Sequence, residues 1–215
     1  METNITLVIG ANGKIGKKTV KLLRDEGVLV RAMIRDQTQA SDFEALGAEV
    51  VLADLEADFS AAFEGCQNVI FTAGSGASTG FDKTLLIDLW AAIKAINYAG
   101  EYDVQRFIMV SSRGATNPDN GPERIKPYLV AKHAADFVLQ TSNLNYTILQ
   151  PGRLVDETGK GLIQTIRPTE ATEQMISRDD VASVIFYSFN HEHTIGTTVE
   201  LFNGSEPIST ALAPD

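Results

Sequence analysis

The chain has 215 residues, 44% hydrophobic and 21% charged, with a net charge of −10 at pH 7. That acidity argues against nucleic acid and anionic membrane as partners, since such binding draws on a basic excess, and no basic run exceeds Lys17-Lys18. The single Cys66 excludes an intramolecular disulfide and a cysteine metal cluster, and no stretch approaches the roughly 18 apolar residues of a membrane span.

Apolar runs of strand length recur along the chain: ITLVI (5–9), VLVRAMI (28–34), EVVL (49–52), NVIF (68–71), RFIMV (106–110), NYTILQ (145–150) and TVELF (198–202). Several are apolar at successive positions, as in strands covered on both faces. Helical patterns fill the gaps near 14–26, 40–46, 58–63, 81–99, 128–141 and 178–190. This alternation predicts an α/β fold: a doubly wound, mainly parallel sheet of about seven strands with helices on both faces.

Two stretches break the rhythm. Residues 113–127, RGATNPDNGPERIKP, read as a long loop, and residues 151–176 are irregular. Both begin at strand carboxyl ends, where open α/β sheets bind ligands. Strands resume after each, so residues 1–215 read as one domain, with small substrate-site elements within 151–215. Trp90 reads as core. His133, His191 and His193 have no metal-ligand spacing, so no metal site is expected. The start, METNITLVIG, lacks a signal-peptide pattern. A cytoplasmic protein is expected, monomeric or homodimeric, with a small-molecule substrate.

The first strand runs into LVIGANGKIGKKTV, with Gly10, Gly13 and Gly16 three apart and a helical pattern behind them. In a strand–turn–helix context, Gly10 permits a tight turn and Gly13 lets backbone approach a pyrophosphate. Gly16 lets the helix pack closely on the strand. A helix N-terminus offers unpaired N–H groups and a favourable dipole to phosphates. Gly10, Asn12, Gly13, Lys14, Ile15 and Gly16 are therefore the expected dinucleotide cradle. A turn without a ligand is the bland alternative, but it needs one glycine rather than three. About 20 residues on, the second strand ends AMIRD. An Asp here bonds a ribose 2′-hydroxyl, whereas an Arg accommodates a 2′-phosphate. Arg35 takes the strand-end position before Asp36, which favours NADP over NAD. Arg31, inside the strand, reads as an edge or salt-bridge residue.

The spacing GxxGxxG in VIGANGKIG resembles the nucleotide-binding turn of the extended and atypical short-chain dehydrogenases/reductases, which include NmrA-like and epimerase/dehydratase-like proteins. The resemblance spans nearly the whole chain and implies a Rossmann-like sheet binding NAD(P). It implies adenine contacts from Asp54 and Leu55 in ADLEAD and close cofactor passage at Ala73 and Gly74 in FTAGSG. Pro151 and Gly152 in LQPGRL would begin the segment over the nicotinamide. Asp54 as a local cap and the FTAGSG glycines as a plain turn are the structural alternatives.

After the fifth strand and its serines comes PYLVAKHAAD, with Tyr128 and Lys132 four apart on one helical face. With five Tyr and nine Lys in the chain, chance alone gives about 0.2 such pairs, so position carries the signal. The pair matches the family's YxxxK. A carbonyl accepting hydride needs a proton, which Tyr128 would supply. A free phenol ionises near pH 10, and a neighbouring ammonium favours the phenolate. Lys132 would serve that purpose and also bond the nicotinamide ribose. Ser112 would orient the substrate oxygen, with Ser111 as the alternative. Where the family has an Asn in the helix after the fourth strand, Asp88 stands here. It accepts bonds but does not donate as an amide does, which puts the usual proton relay in doubt. Arg153 is placed to contact an anionic substrate or to form a surface salt bridge. Ser177 and Asp180 read as a helix capping box.

The implied activity is hydride transfer between NADP(H) and a small carbonyl or quinone-like substrate. Two alternatives stand beside it: a non-catalytic, NmrA-like redox sensor acting through protein partners, and a flavin or quinone reductase without a Tyr acid. Only 64 residues follow Pro151, so a sugar epimerase or dehydratase label would rest on fold analogy alone.

Overall fold

The computed structural model describes residues 4–76 and 78–214. In chain order it has β1 (Ile5–Ile9), α1 (Lys14–Asp25), β2 (Leu29–Ile34), α2 (Ala40–Glu44), β3 (Glu49–Leu52) and β4 (Cys66–Phe71). A continuous helical segment follows: α3 (Phe81–Lys83), a π-helical stretch (Thr84–Ala91) and α4 (Ala92–Glu101). Then come β5 (Arg106–Val110), α5 (Lys126–Gln140), β6 (Tyr146–Pro151), β7 (Arg153–Val155), β8 (Leu162–Gln164) and β9 (Met175–Ser177). The last elements are α6 (Arg178–Asn190), β10 (Thr197–Asn203), β11 (Glu206–Pro207) and α7 (Ile208–Ala211).

The main sheet has nine strands in the order β11-β8-β10-β6-β5-β4-β1-β2-β3. The seven from β10 to β3 are parallel and are the seven expected from sequence. The two extra strands, β8 and β11, pair antiparallel at one edge. With three and two residues, they are too short to carry a readable period. β7 and β9 form a separate parallel pair.

Successive strand residues feed opposite layers. Val8, Ile70, Ile108 and Leu149 pack with α1, α2 and α6 on one face. Leu7, Ile9, Val69, Phe71, Phe107, Met109 and Ile148 pack with α4 and α5 on the other. The chain order reverses at β1–β4, with Ile9 beside both Met33 and Phe71. The carboxyl ends of β1, β2 and β4 thus open at one level, at the sheet's switch point.

Trp90 is a correction: it is 52% exposed. The helical segment buries Thr84, Asp88, Ala91, Ala92, Ala95, Ile96 and Ala99. The π-helical stretch changes the angular phase of the apolar pattern, and the small alanines allow close approach to the sheet. Ser177 caps α6 by accepting from the Asp180 N–H at 2.9 Å. Its own N–H goes to Asn203 Oδ1 rather than back to Asp180, so the expected reciprocal backbone bond is replaced by a tie to β10. Among the described residues no helix is long and apolar enough to cross a membrane.

Candidate functional site

A cleft of about 460 Å³ opens at the carboxyl ends of β1 to β4. It brings together Gly10, Asn12, Gly13, Arg35, Asp54, Leu55, Ala73 and Gly74 from the sequence-predicted set. The three glycines differ in what demands them. Gly10 has φ +79° and would place a Cβ 2.7 Å from the Ala73 backbone. At Gly16 a Cβ would lie 2.3 Å from the Gly10 carbonyl oxygen and 2.7 Å from that of Ala11. At Gly13 a Cβ would meet only the Gly10 oxygen, at 3.1 Å. Gly13 is exposed and caps α1 without a side chain, which leaves the first N–H groups of this 12-residue helix bare toward the cleft. Two glycines are thus required by packing and one holds space open, which fits a pyrophosphate lying on the helix N-terminus.

The rest of the turn lies behind or beside the cleft. Ile15 and Gly16 are buried. Lys14 is exposed and pairs with Asp156 at 2.5 Å, which Arg178 also holds at 2.7 Å. Arg31 pairs with Glu49 at 2.9 Å and donates to the Ala62 and Glu64 carbonyls.

At the end of β2, Arg35 is exposed and faces the cleft. Asp36 is turned away into its own loop: its Oδ1 accepts from Thr38 N at 2.9 Å and Thr38 Oγ1 at 2.8 Å. Those bonds, the backbone one first, hold its carboxyl below the usual carboxylate range. Asp54 accepts from Glu56 N at 2.9 Å, which closes a local turn; no helix begins there for it to cap. Sequence reasoning missed Glu56 and Lys83, which pair at 2.6 Å on the cleft wall, because their contact joins the turn after β3 to the end of α3, 27 residues apart.

The second cluster lies at the carboxyl end of β5. Lys132 is 2% exposed and donates from Nζ to the Val110 carbonyl at 3.0 Å. Asp88 Oδ1 is 3.9 Å from Nζ. The other carboxylate oxygen of Asp88 accepts from Ser75 N at 3.1 Å and Ser75 Oγ at 2.6 Å. Asp88 thereby ties the loop after β4 to α5, and a Cβ on Gly74 would stand 3.0 Å from it. Ser75 was not foreseen; its signal was the position directly after the small FTAG stretch.

The two serines are distinguished by their partners. Ser111 donates to Asp136 at 2.7 Å, and Asp136 also accepts from Gln150 at 2.9 Å. Burial pushes the Asp136 carboxyl above its ordinary range, against the bonds from Ser111 and Gln150. Ser112 is half-buried and makes only a 3.3 Å bond to the adjacent Arg113 carbonyl. Of the pair, Ser112 has the hydroxyl to spare. Tyr128 is half-buried at the start of α5, one helical turn of about 5.4 Å beyond Lys132. It makes no side-chain hydrogen bond among the described residues; the Lys132 head is engaged with Val110 and Asp88. Pro151 and Gly152 are buried. A Cβ at Gly152 would lie 2.7 Å from the Gln174 carbonyl oxygen, so packing against the approach to β9 already requires this glycine.

Removing Asp88 tests the buried pair. Asp88→Ala leaves an ammonium buried without its carboxylate and is expected to cost about 3–5 kcal/mol. Asp88→Asn keeps an acceptor for Ser75 and should fall between Ala and the native protein. Thermal unfolding checks this, and an Ala variant as stable as the native chain would show that the pair is not what holds Lys132 in place.

The chain matches the family model described as NAD(P)H-binding over residues 10–192. It is 47% identical over 209 residues to the Bacillus subtilis protein "Uncharacterized sugar epimerase YhfK", covering 95% of this chain and 97% of the relative. A Bacillus halodurans structure named as an NAD-dependent epimerase/dehydratase superposes with a TM-score of 0.92 at 44% identity, covering 97% of this chain and 98% of that one. The oxidoreductase ylbE from Lactococcus lactis superposes with a TM-score of 0.86 at 29% identity, over 97% and 94% of the two chains. With its glycine turn opening onto the switch point of a parallel sheet, the chain belongs to the NAD(P)H-binding family of Rossmann-like proteins, among the atypical short-chain dehydrogenase/reductase-like members.

Proposed function

We propose that the protein is an NADP-dependent oxidoreductase acting on a small carbonyl or quinone-like substrate. The observation that carries the cofactor choice is Arg35, free of ion pairs among the described residues and facing the cleft, beside an Asp36 already committed to Thr38. A guanidinium matches a phosphate through paired hydrogen bonds.

A bound nicotinamide dinucleotide would supply the hydride donor or acceptor. Around it, the backbone at Gly13 and the α1 N-terminus would hold the pyrophosphate, Arg35 the 2′-phosphate, and Asp54 and Leu55 the adenine end. Ser112 would orient the substrate oxygen and Tyr128 would give it a proton. Lys132 would act from below Tyr128, its ammonium held by Val110 O and Asp88. That engagement of Lys132 also supports a second reading, a flavin or quinone reductase whose reaction needs no Tyr acid.

Arg35→Ala should weaken NADPH binding by about 10- to 100-fold, the range of a lost hydrogen-bonded charge contact, and leave NADH binding unchanged. Calorimetric titration of the variant with both cofactors measures this. Equal, unaltered affinity for the two would overturn the 2′-phosphate argument.

A further inference from the structure

We propose that Arg113, Arg153 and Arg167 form a binding site for an anionic oxygen group, carboxylate or phosphate, on the substrate. This rests on the oxidoreductase reading above and names the class of compound that the reaction takes.

The three arginines come from the loop after β5 (Arg113), from β7 (Arg153) and from the segment between β8 and β9 (Arg167), and they meet around Gln174 and Glu200. Arg113, directly after Ser112, donates from Nη1 to Gln174 Oε1 at 2.5 Å. The Arg153 N–H donates to the carbonyl of the same Gln174 at 2.9 Å. Gln174 is fixed in turn by donating from Nε2 to the Pro168 carbonyl at 2.8 Å, next to Arg167. Arg167 forms a two-pronged pair with Glu200, and Glu200 also accepts from the Gly114 N–H at 3.1 Å.

Of the three guanidinium groups, only that of Arg167 is paired with a carboxylate. Among the described residues neither Arg113 nor Arg153 has a carboxylate within ion-pair distance, and Glu170 and Glu173 of the same segment make no ion pair. Among the described residues the Arg153 head makes one hydrogen bond, to the Met175 sulfur at 3.7 Å. Burial, then the field of Arg167, holds the Arg113 guanidinium below its ordinary range, with Arg153 acting in the same sense and Glu200 opposing. Crowding like charges is costly. A chain with a net charge of −10 that gathers three arginines within range of one another and pairs only one of them with a carboxylate has built a local exception.

Location separates this cluster from the cofactor. The Arg113 N–H donates to the Pro151 carbonyl at 3.0 Å, which sets the cluster beyond the ends of β5 and β6. The glycine turn follows β1, with β4 between it and β5, and Arg35 follows β2 on the far side. An anion held here flanks Ser112 on the side away from the dinucleotide cleft, where a substrate's second functional group would lie.

The test uses protein saturated with NADP⁺, which has no hydride to give an aldehyde, titrated calorimetrically with three para-substituted benzaldehydes carrying a carboxylate, a phosphate ester or a methyl group. At least one anionic aldehyde should bind about tenfold or more tightly than the methyl compound, and the better anion identifies the group. Arg153→Gln should abolish the preference. Glu200→Gln, which removes the competing carboxylate, should enlarge it several-fold, a gain that a purely structural role would not produce. Equal binding of the three aldehydes, or a preference that survives Arg153→Gln, overturns the proposal. NADP⁺ affinity, measured first in the same cell, separates the two failures. A native protein that does not bind NADP⁺ overturns the oxidoreductase reading and this site with it. One that binds NADP⁺ but shows no anion preference overturns this site alone.

Discussion

Tyr128→Phe should lower turnover by about 10²- to 10⁴-fold, the usual contribution of a positioned general acid, with the Kd for NADPH unchanged. The substitution removes one oxygen that makes no hydrogen bond to its neighbours, so the fold has nothing to lose by it. α5 buries Leu129, Ala131, Lys132, Ala135, Asp136 and Leu139, and its anchorage does not involve the phenol. The Lys132 head reaches the end of β5 through Val110, and Tyr128 stands one turn farther out, on the side of the strand ends where Ser112 lies. The measurement is NADPH oxidation against a panel of aldehydes, ketones and quinones. Full activity in the Phe variant would move the reading to a reductase without a Tyr acid. A native protein that binds NADPH yet turns over no member of the panel would favour the sensor.

The glycine turn gives the second large effect, and its two halves should separate. Gly16→Ala drives a methyl into the Gly10 and Ala11 carbonyls. It is expected to cost on the order of 3 kcal/mol from overpacking, or a drop of about 6–12 °C in Tm for a chain of this size. Gly13→Ala adds the same methyl where only one carbonyl oxygen stands at 3.1 Å, so stability should change by about 1 kcal/mol or less. That methyl enters the space in front of the α1 N–H groups, and NADPH affinity should fall at least tenfold. Thermal unfolding and calorimetry on the two variants check this. If Gly13→Ala bound NADPH as the native protein does, the open space at Gly13 would not be where the pyrophosphate lies.

What could be read from sequence follows the reach of each signal. The parallel strands were legible because both of their faces are buried, which writes uninterrupted apolar runs such as ITLVI and RFIMV. The cradle was legible because Gly10 and Gly16 are demanded by contacts within a few residues or by a left-handed backbone. Trp90 was misplaced because a π-helical stretch has no marker in a pattern read at 3.6 residues per turn. The edge strands β8 and β11 were too short to show a period. The partners of Ser111 and Asp88 were hidden because Asp136 and Ser75 join them across the fold, 25 and 13 residues away. The arginine cluster was only half visible: Arg153 suggested an anion, but its convergence with Arg113 and Arg167 depends on how residues 151–176 fold back through Gln174.

The central claim is that the cleft between the glycine turn and Arg35 binds NADP(H). Calorimetric titration of the native protein with NADPH and, separately, NADH tests it most directly. The account predicts NADPH binding at least tenfold tighter than NADH. Binding of neither cofactor would contradict it, and the glycine turn would then be a feature of the fold alone.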